Sequence, residues 1–242
     1  MAVFVANEAV DMRVLPEIAS TINSVFLIAY SNSYLRVADV GDFTFVYTGP
    51  GLGPPTGLAV INESGVAYEF RDMDLPTSGF IPTTLDELLA VALGGVDSVL
   101  GSEEGDYLRG LAGSDIVEGR GGDDMINGGA DKDKLWGNDG RDTFVFDILP
   151  DSSKLADVVK DFTRKDTIGL AGSVFTALGD EVNKKEFVVG KKAKDKNDHL
   201  IYDENKGGLY YDDNGKKDGG KVKIAKLDAD LDLSHKDFDI LV

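Results

Sequence analysis

The stretch GLAGSDIVEGRGGDDMINGGADKDKLWGNDGRDTFV, residues 110–145, repeats itself every nine residues. Asp115, Asp124, Asp133 and Asp142 keep that spacing without a slip, and Asp106 and Asp97 extend the series backward. Residues 92–145 are thus six copies of G-x-x-G-x-D-x-U-x in one register, where U is a large apolar residue. The first position is Gly101, Gly110, Gly119, Gly128 and Gly137, with Ala92 opening the series. The fourth is Gly95, Gly113, Gly122 and Gly140, interrupted by Glu104 and Asp131. The eighth is Val99, Leu108, Val117, Ile126, Leu135 and Phe144. A period of this kind outranks local pattern, because each unit buries its apolar residue only by stacking on the next.

Chemistry accounts for the period. The first six residues of each copy are turn-forming, and glycine supplies the positive φ that such turns need. The last three make a short strand whose middle residue points inward. Two copies complete one coil of a parallel solenoid, so turns on the same side lie eighteen residues apart. Asp97 then stacks over Asp115 and Asp133, and Asp106 over Asp124 and Asp142. Carboxylates and turn carbonyls converge between coils as an all-oxygen cage. Such a cage suits a hard cation with six to eight ligands, Ca²⁺ rather than Zn²⁺ or Mg²⁺. The candidate ligands are the six aspartates with the turn residues Gly95, Gly101, Gly110, Gly113, Gly119, Gly122, Gly128, Asp131, Gly137 and Gly140. The stacking predicts about four ions. Without a cation the carboxylates repel, so folding and metal binding are expected to be one equilibrium. A bare glycine-rich loop would have no reason to keep Asp and an apolar residue in phase.

These copies resemble the RTX, or haemolysin-type, calcium-binding repeats of consensus G-G-x-G-x-D-x-U-x; GRGGDDMIN, GLAGSDIVE and GNDGRDTFV fit best. Glu104 and Asp131 depart from it at the fourth position. Asp tolerates a left-handed backbone better than Glu does, so Glu104 marks the weaker turn. The resemblance implies an all-β fold: a parallel β-roll (a right-handed solenoid) with a C-terminal β cap. It also implies export by a type I ABC transporter that reads an uncleaved C-terminal signal. The end of the chain, LDADLDLSHKDFDILV, is similar to such a signal. Residues 146–242 resemble the cap of serralysin-type secreted proteins in DTFVFD and in the pair LIYD…LYYD, which reads as a hairpin.

Charge agrees. Of the net −18, residues 1–150 carry 24 acids against 8 bases, and residues 151–242 carry 19 against 17. The acidity lies in the repeats and the segment before them, which disfavours nucleic acid and anionic membranes as partners. There is no cysteine, so disulfides and thiolate metal sites are excluded. The apolar run at 25–30 is too short to span a membrane, and the N-terminus lacks the basic region of a leader. The resemblance therefore places the protein outside the cell, as a secreted monomer and not an integral membrane protein.

Residues 1–90 read as a small, mainly-β N-terminal domain. Phe43, Phe45 and Tyr47 alternate with Thr44 and Val46, a strand signature. Residues 58–61 and 66–70 are joined by Asn62-Glu63-Ser64-Gly65 as a hairpin. Thr84-Leu85-Asp86-Glu87 forms a capping box that opens a short helix over 84–93, expected to cap the first coil. Residues 1–35 show no clear period. The domain plan is therefore 1–90, the roll at 92–145, and the cap with secretion tail at 146–242.

Catalytic signatures are missing. The two histidines, His199 and His235, lie in no H-E-x-x-H motif, which excludes a zinc protease of the serralysin type. No G-x-S-x-G elbow occurs, and no proline follows an aspartate. The expectation is a non-catalytic, secreted calcium-binding protein with a surface polysaccharide or a protein as partner. The alternative is an effector or hydrolase whose N-terminal domain carries an activity on an RTX secretion module.

Overall fold

The computed structural model describes residues 94–242 in full and, before them, the backbone of six strands. These are β1 (Val3–Ala6), β2 (Leu27–Ser31), β3 (Tyr34–Val40), β4 (Phe43–Thr48), β5 (Gly57–Asn62) and β6 (Gly65–Arg71). The helix expected over 84–93 lies outside the described residues. The predicted strands at 43–47 and 66–70 are β4 and β6, and β5 pairs antiparallel with β6 as the hairpin reading requires. Strands β2 to β6 form an antiparallel meander, each paired with the next.

The repeats build a roll of two facing parallel sheets. Successive copies contribute β7 (Ser98–Leu100), β8 (Tyr107–Arg109), β9 (Ile116–Gly121), β10 (Met125–Asn127), β11 (Lys134–Asp139) and β12 (Thr143–Phe146). Odd-numbered strands enter one sheet and even-numbered strands the other, so each coil takes two copies. The register follows from the period: Val99 lies beside Val117, and Val117 beside Leu135. In the facing sheet Leu108 lies beside Ile126, and Ile126 beside Phe144. All six eighth-position side chains are fully buried and meet between the sheets. Three-residue strands are too short to hold a sheet alone, and this apolar ladder supplies the packing.

The parallel ladder does not stop at Phe146. After the loop at 147–156 the chain returns as β13 (Asp157–Val159) beside β11, then as β14 (Thr167–Ala171) beside β12. Val159 and Ile168 continue the buried rows of Leu135 and Phe144.

β15 (Phe187–Val189), β16 (Leu200–Asp203) and β17 (Gly208–Asp212) follow, and the hairpin read from LIYD and LYYD is β16 with β17. β18 (Lys221–Lys226) joins β17 antiparallel and β13 parallel. A 3₁₀ turn at His235–Asp237 leads into β19 (Phe238–Leu241), which lies parallel to β14. One apolar core runs from Val99 through Phe175, Tyr202 and Tyr211 to Phe238. Tyr202 and Tyr211 enter it because their hydroxyls find partners: the first donates to Asp228 O, and the second accepts from Ala177 N. Among the described residues no α-helix occurs, and no helix is long and apolar enough to cross a membrane. The fold class is all-β, a parallel β-roll.

At the start of the roll β1 lies parallel to β7, pairing Val3, Phe4 and Val5 with Ser98, Val99 and Leu100. Its other edge pairs antiparallel with β6. The meander and one sheet of the roll are thereby a single sheet of fourteen strands. The segment 1–35, without clear period in the sequence, holds β1, β2 and the start of β3.

Candidate metal centre

Glycine turns position the aspartates. In the copies beginning at Gly110, Gly119, Gly128 and Gly137, the second and fourth residues both take positive φ. These pairs are Leu111 and Gly113, Arg120 and Gly122, Gly129 and Asp131, and Asn138 and Gly140. Asp131 therefore does at the fourth position what glycine does elsewhere, as its tolerance of that region allows. Neither Ser102 nor Glu104 has positive φ, so the turn before Asp106 has a different backbone.

The eighteen-residue stacking of the sequence reading is present atom by atom. Asp115 Oδ1 accepts from Asp97 N, and Asp133 Oδ1 from Asp115 N, each at 2.8 Å. On the other side Asp124 Oδ1 accepts from Asp106 N at 2.8 Å, and Asp142 Oδ1 from Asp124 N at 3.0 Å. Two further aspartates extend the stacks. Asp157 Oδ1 accepts from Asp133 N, and Asp166 Oδ1 from Asp142 N, each at 3.0 Å. They stand nine residues apart, with Val159 and Ile168 two residues after them. That signature is the repeat itself, displaced by the six residues that lengthen the step from eighteen to twenty-four.

The second carboxylate oxygens decide whether a cation fits. Oδ2 of Asp115, Asp124 and Asp133 is buried and has no hydrogen-bond donor. Each lies over the first-position glycine of its own copy, where a Cβ would collide with it: Gly110 for Asp115, Gly119 for Asp124, Gly128 for Asp133. A neighbouring main-chain carbonyl faces the same space. The Cβ position of Gly110 would lie 2.6 Å from Asp115 Oδ2 and 2.5 Å from Gly128 O. That of Gly119 would lie 2.8 Å from Gly137 O while colliding with Asp124 Oδ2. Gly101 and Gly137 stand in the same way beneath Asp106 and Asp142. Gly113, Gly122 and Gly140 pack under the preceding coil, whereas a Cβ added at Gly95 would meet nothing within 4 Å. Among the described residues no three His, Cys, Asp or Glu side chains gather as a metal group. The groups facing these spaces are one carboxylate oxygen and main-chain carbonyls, a donor set of oxygens alone. Such a set fits Ca²⁺.

Electrostatics point the same way. Burial pushes the carboxyls of Asp115 and Asp124 up to about 7, against the hydrogen bond each accepts, and their stacked neighbours push in the same direction. Burial also lifts Asp142 to about 6, and it raises the coupled pair Asp133 and Asp157. A carboxyl raised above its ordinary 3.8 binds more protons folded than unfolded. The metal-free fold is thus favoured in acid and loses stability as pH rises from about 4 towards 7. Calcium affinity runs the other way, rising over that interval as protons leave. In protein stripped of metal beforehand and kept in calcium-free buffer, the strand signal by circular dichroism is expected to be larger at about pH 5 than at about pH 8. A signal independent of pH would contradict this.

Parallel coils, glycine turns and the donorless carboxylate oxygens of Asp115, Asp124 and Asp133 define a repeat roll with oxygen-lined turns. A family model of the RTX calcium-binding nonapeptide repeat, in four copies, matches residues 92–126, 100–135 and 118–147. The chain thus carries RTX calcium-binding repeats. It is also similar to the solution structure of the AlgE6R3 subunit from the Azotobacter vinelandii mannuronan C5-epimerase. That likeness has 23% identity and a TM-score of 0.44, and covers 61% of this chain and 80% of that one. No curated protein matches the chain.

Proposed function

We propose that the protein is a secreted, non-enzymatic calcium-binding protein whose roll folds when it meets extracellular Ca²⁺. The observation that carries this reading is the set of buried, donorless Oδ2 atoms at Asp115, Asp124 and Asp133, each facing a glycine cradle. The ligands are drawn from the six aspartates of the series and the carbonyls of their turns, with about four ions in all. Residues 1–90 form the working domain, 92–145 the calcium roll, and 146–242 the cap with a C-terminal signal for a type I ABC exporter. Extracellular modules of this chemistry bind at roughly 10⁻⁴–10⁻³ M, well above cytosolic Ca²⁺. The chain would therefore stay uncoiled inside the cell and coil on emerging. Its role outside is adhesion or contact with a surface polysaccharide or protein.

Calorimetric titration of the full chain checks the metal assignment. Calcium is expected to give a multi-site exothermic or entropic isotherm accompanied by gain of strand. Magnesium should give neither, because it demands near-octahedral geometry and sheds water reluctantly. No calcium isotherm up to about 10⁻² M, beyond the range of such modules, would sink the proposal.

A further inference from the structure

Two aspartates in one stack are satisfied without a cation. Asp106 Oδ2 accepts from Ser102 N at 2.6 Å and from Ser102 Oγ at 3.0 Å. Asp166 Oδ2 accepts from Thr163 N at 2.7 Å and from Thr163 Oγ1 at 2.9 Å. The same pairing recurs where Ser234 caps the 3₁₀ turn through Asp237, a purely structural use. Asp106 and Asp166 are the two ends of the stack Asp106, Asp124, Asp142, Asp166.

The backbone agrees with the side chains. The four copies from Gly110 to Gly137 have two positive-φ residues each, whereas the turns 101–106 and 161–166 have none. In the latter no residue is glycine, and Asp161 occupies the first position. Its carboxylate is engaged by Gly137 N at 3.0 Å and Asn138 N at 2.8 Å. An oxygen that already accepts an N–H and an O–H presents two positive hydrogens where a cation would have to approach to roughly 2.3–2.6 Å.

We infer that the turns of Ser102 and Thr163 are metal-free stops, a serine or threonine replacing calcium at each end of this stack. Calcium on this side of the roll is then confined to the turns of Asp124 and Asp142. The hydroxyl turns hold their aspartates in register before any ion arrives, so the metal-dependent coils close between two preformed ends. Glu104, which departs from the repeat pattern, fits this role: a turn that takes no cation has no need of glycine there. The inference rests on the calcium reading above.

Crystals of the full chain grown with Ca²⁺ test it directly. Ions are expected beside Asp124 Oδ2 and none beside Asp106 Oδ2 or Asp166 Oδ2. An ion ligated by either end aspartate overturns the inference while leaving the calcium reading intact. A roll without ions anywhere overturns both. A second measurement uses Ser102→Gly combined with Glu104→Gly, which restores the repeat pattern in that turn. Equilibrium dialysis is expected to find one more bound Ca²⁺ per chain than in the unaltered protein; an unchanged count in folded protein overturns the inference.

Discussion

Chelation with EGTA at neutral pH is expected to abolish the strand signal of residues 116–146, and added Ca²⁺ to restore it cooperatively. Asp115, Asp124 and Asp133 are at most 1% exposed, and each has one oxygen with no donor. Burying an ionised carboxylate with only one of its oxygens hydrogen-bonded costs several kcal/mol even after relaxation. Three such groups suffice to offset the ~5–15 kcal/mol that stabilises an ordinary domain. The opposing term is small per coil, because each copy contributes one apolar residue to the core and a strand of three to six residues. A cation reverses the sign of this electrostatic term, and a site held at ten times its dissociation constant adds about 1.4 kcal/mol. Far-UV circular dichroism measures the loss, and hydrogen exchange locates it. Protection of β9, β10 and β11 that survives EGTA at neutral pH would refute the expectation.

Gly140→Ala should damage the calcium-loaded roll more than any change on its surface. Gly140 has φ +149, a conformation nearly closed to L side chains, and an added Cβ would collide with Gly122 O of the preceding coil. That neighbour is main chain, so it cannot swing aside as a flexible side chain could. Strain and forced separation of the coils together are expected to cost about 3 kcal/mol or more. For a protein of this size the melting midpoint should fall by about 6–12 °C. Gly95→Ala is the matched control. Gly95 belongs to the same fourth position, but nothing lies within 4 Å of its added Cβ. Its change should stay within about 0.5 kcal/mol. Equal losses at the two positions would mean that the coils are not packed as described.

The roll was legible because its information is periodic. Aspartate spacing fixed which turns stack, and the apolar eighth position fixed which residues are buried. Hairpins at 58–70 and 200–212 were legible because their turns are local. Asp157 and Asp166 were missed because six extra residues shift the phase, although their own spacing and the apolar residues after them keep the signature. The closure of Asp106 by Ser102 was missed for another reason. Glu104 showed that the turn is unusual, but which way an N–H points depends on the backbone the turn adopts, not on composition. The position of β1 was beyond local reading altogether, since nothing in Val3, Phe4 and Val5 specifies a partner ninety-five residues away.

That pairing has a bearing on the order of assembly. The N-terminal meander reaches the rest of the protein's sheet through a strand seated against β7, and β7 is itself held by β9 of the next coil. Bringing the start of the chain to residue 98 closes a long loop, whose entropic cost is met only once an edge exists to receive it. Residues 3–5 are thus among the last to find their place. Whatever winds the coils also builds the landing edge for the segment that precedes them, so the front of the molecule is finished from behind.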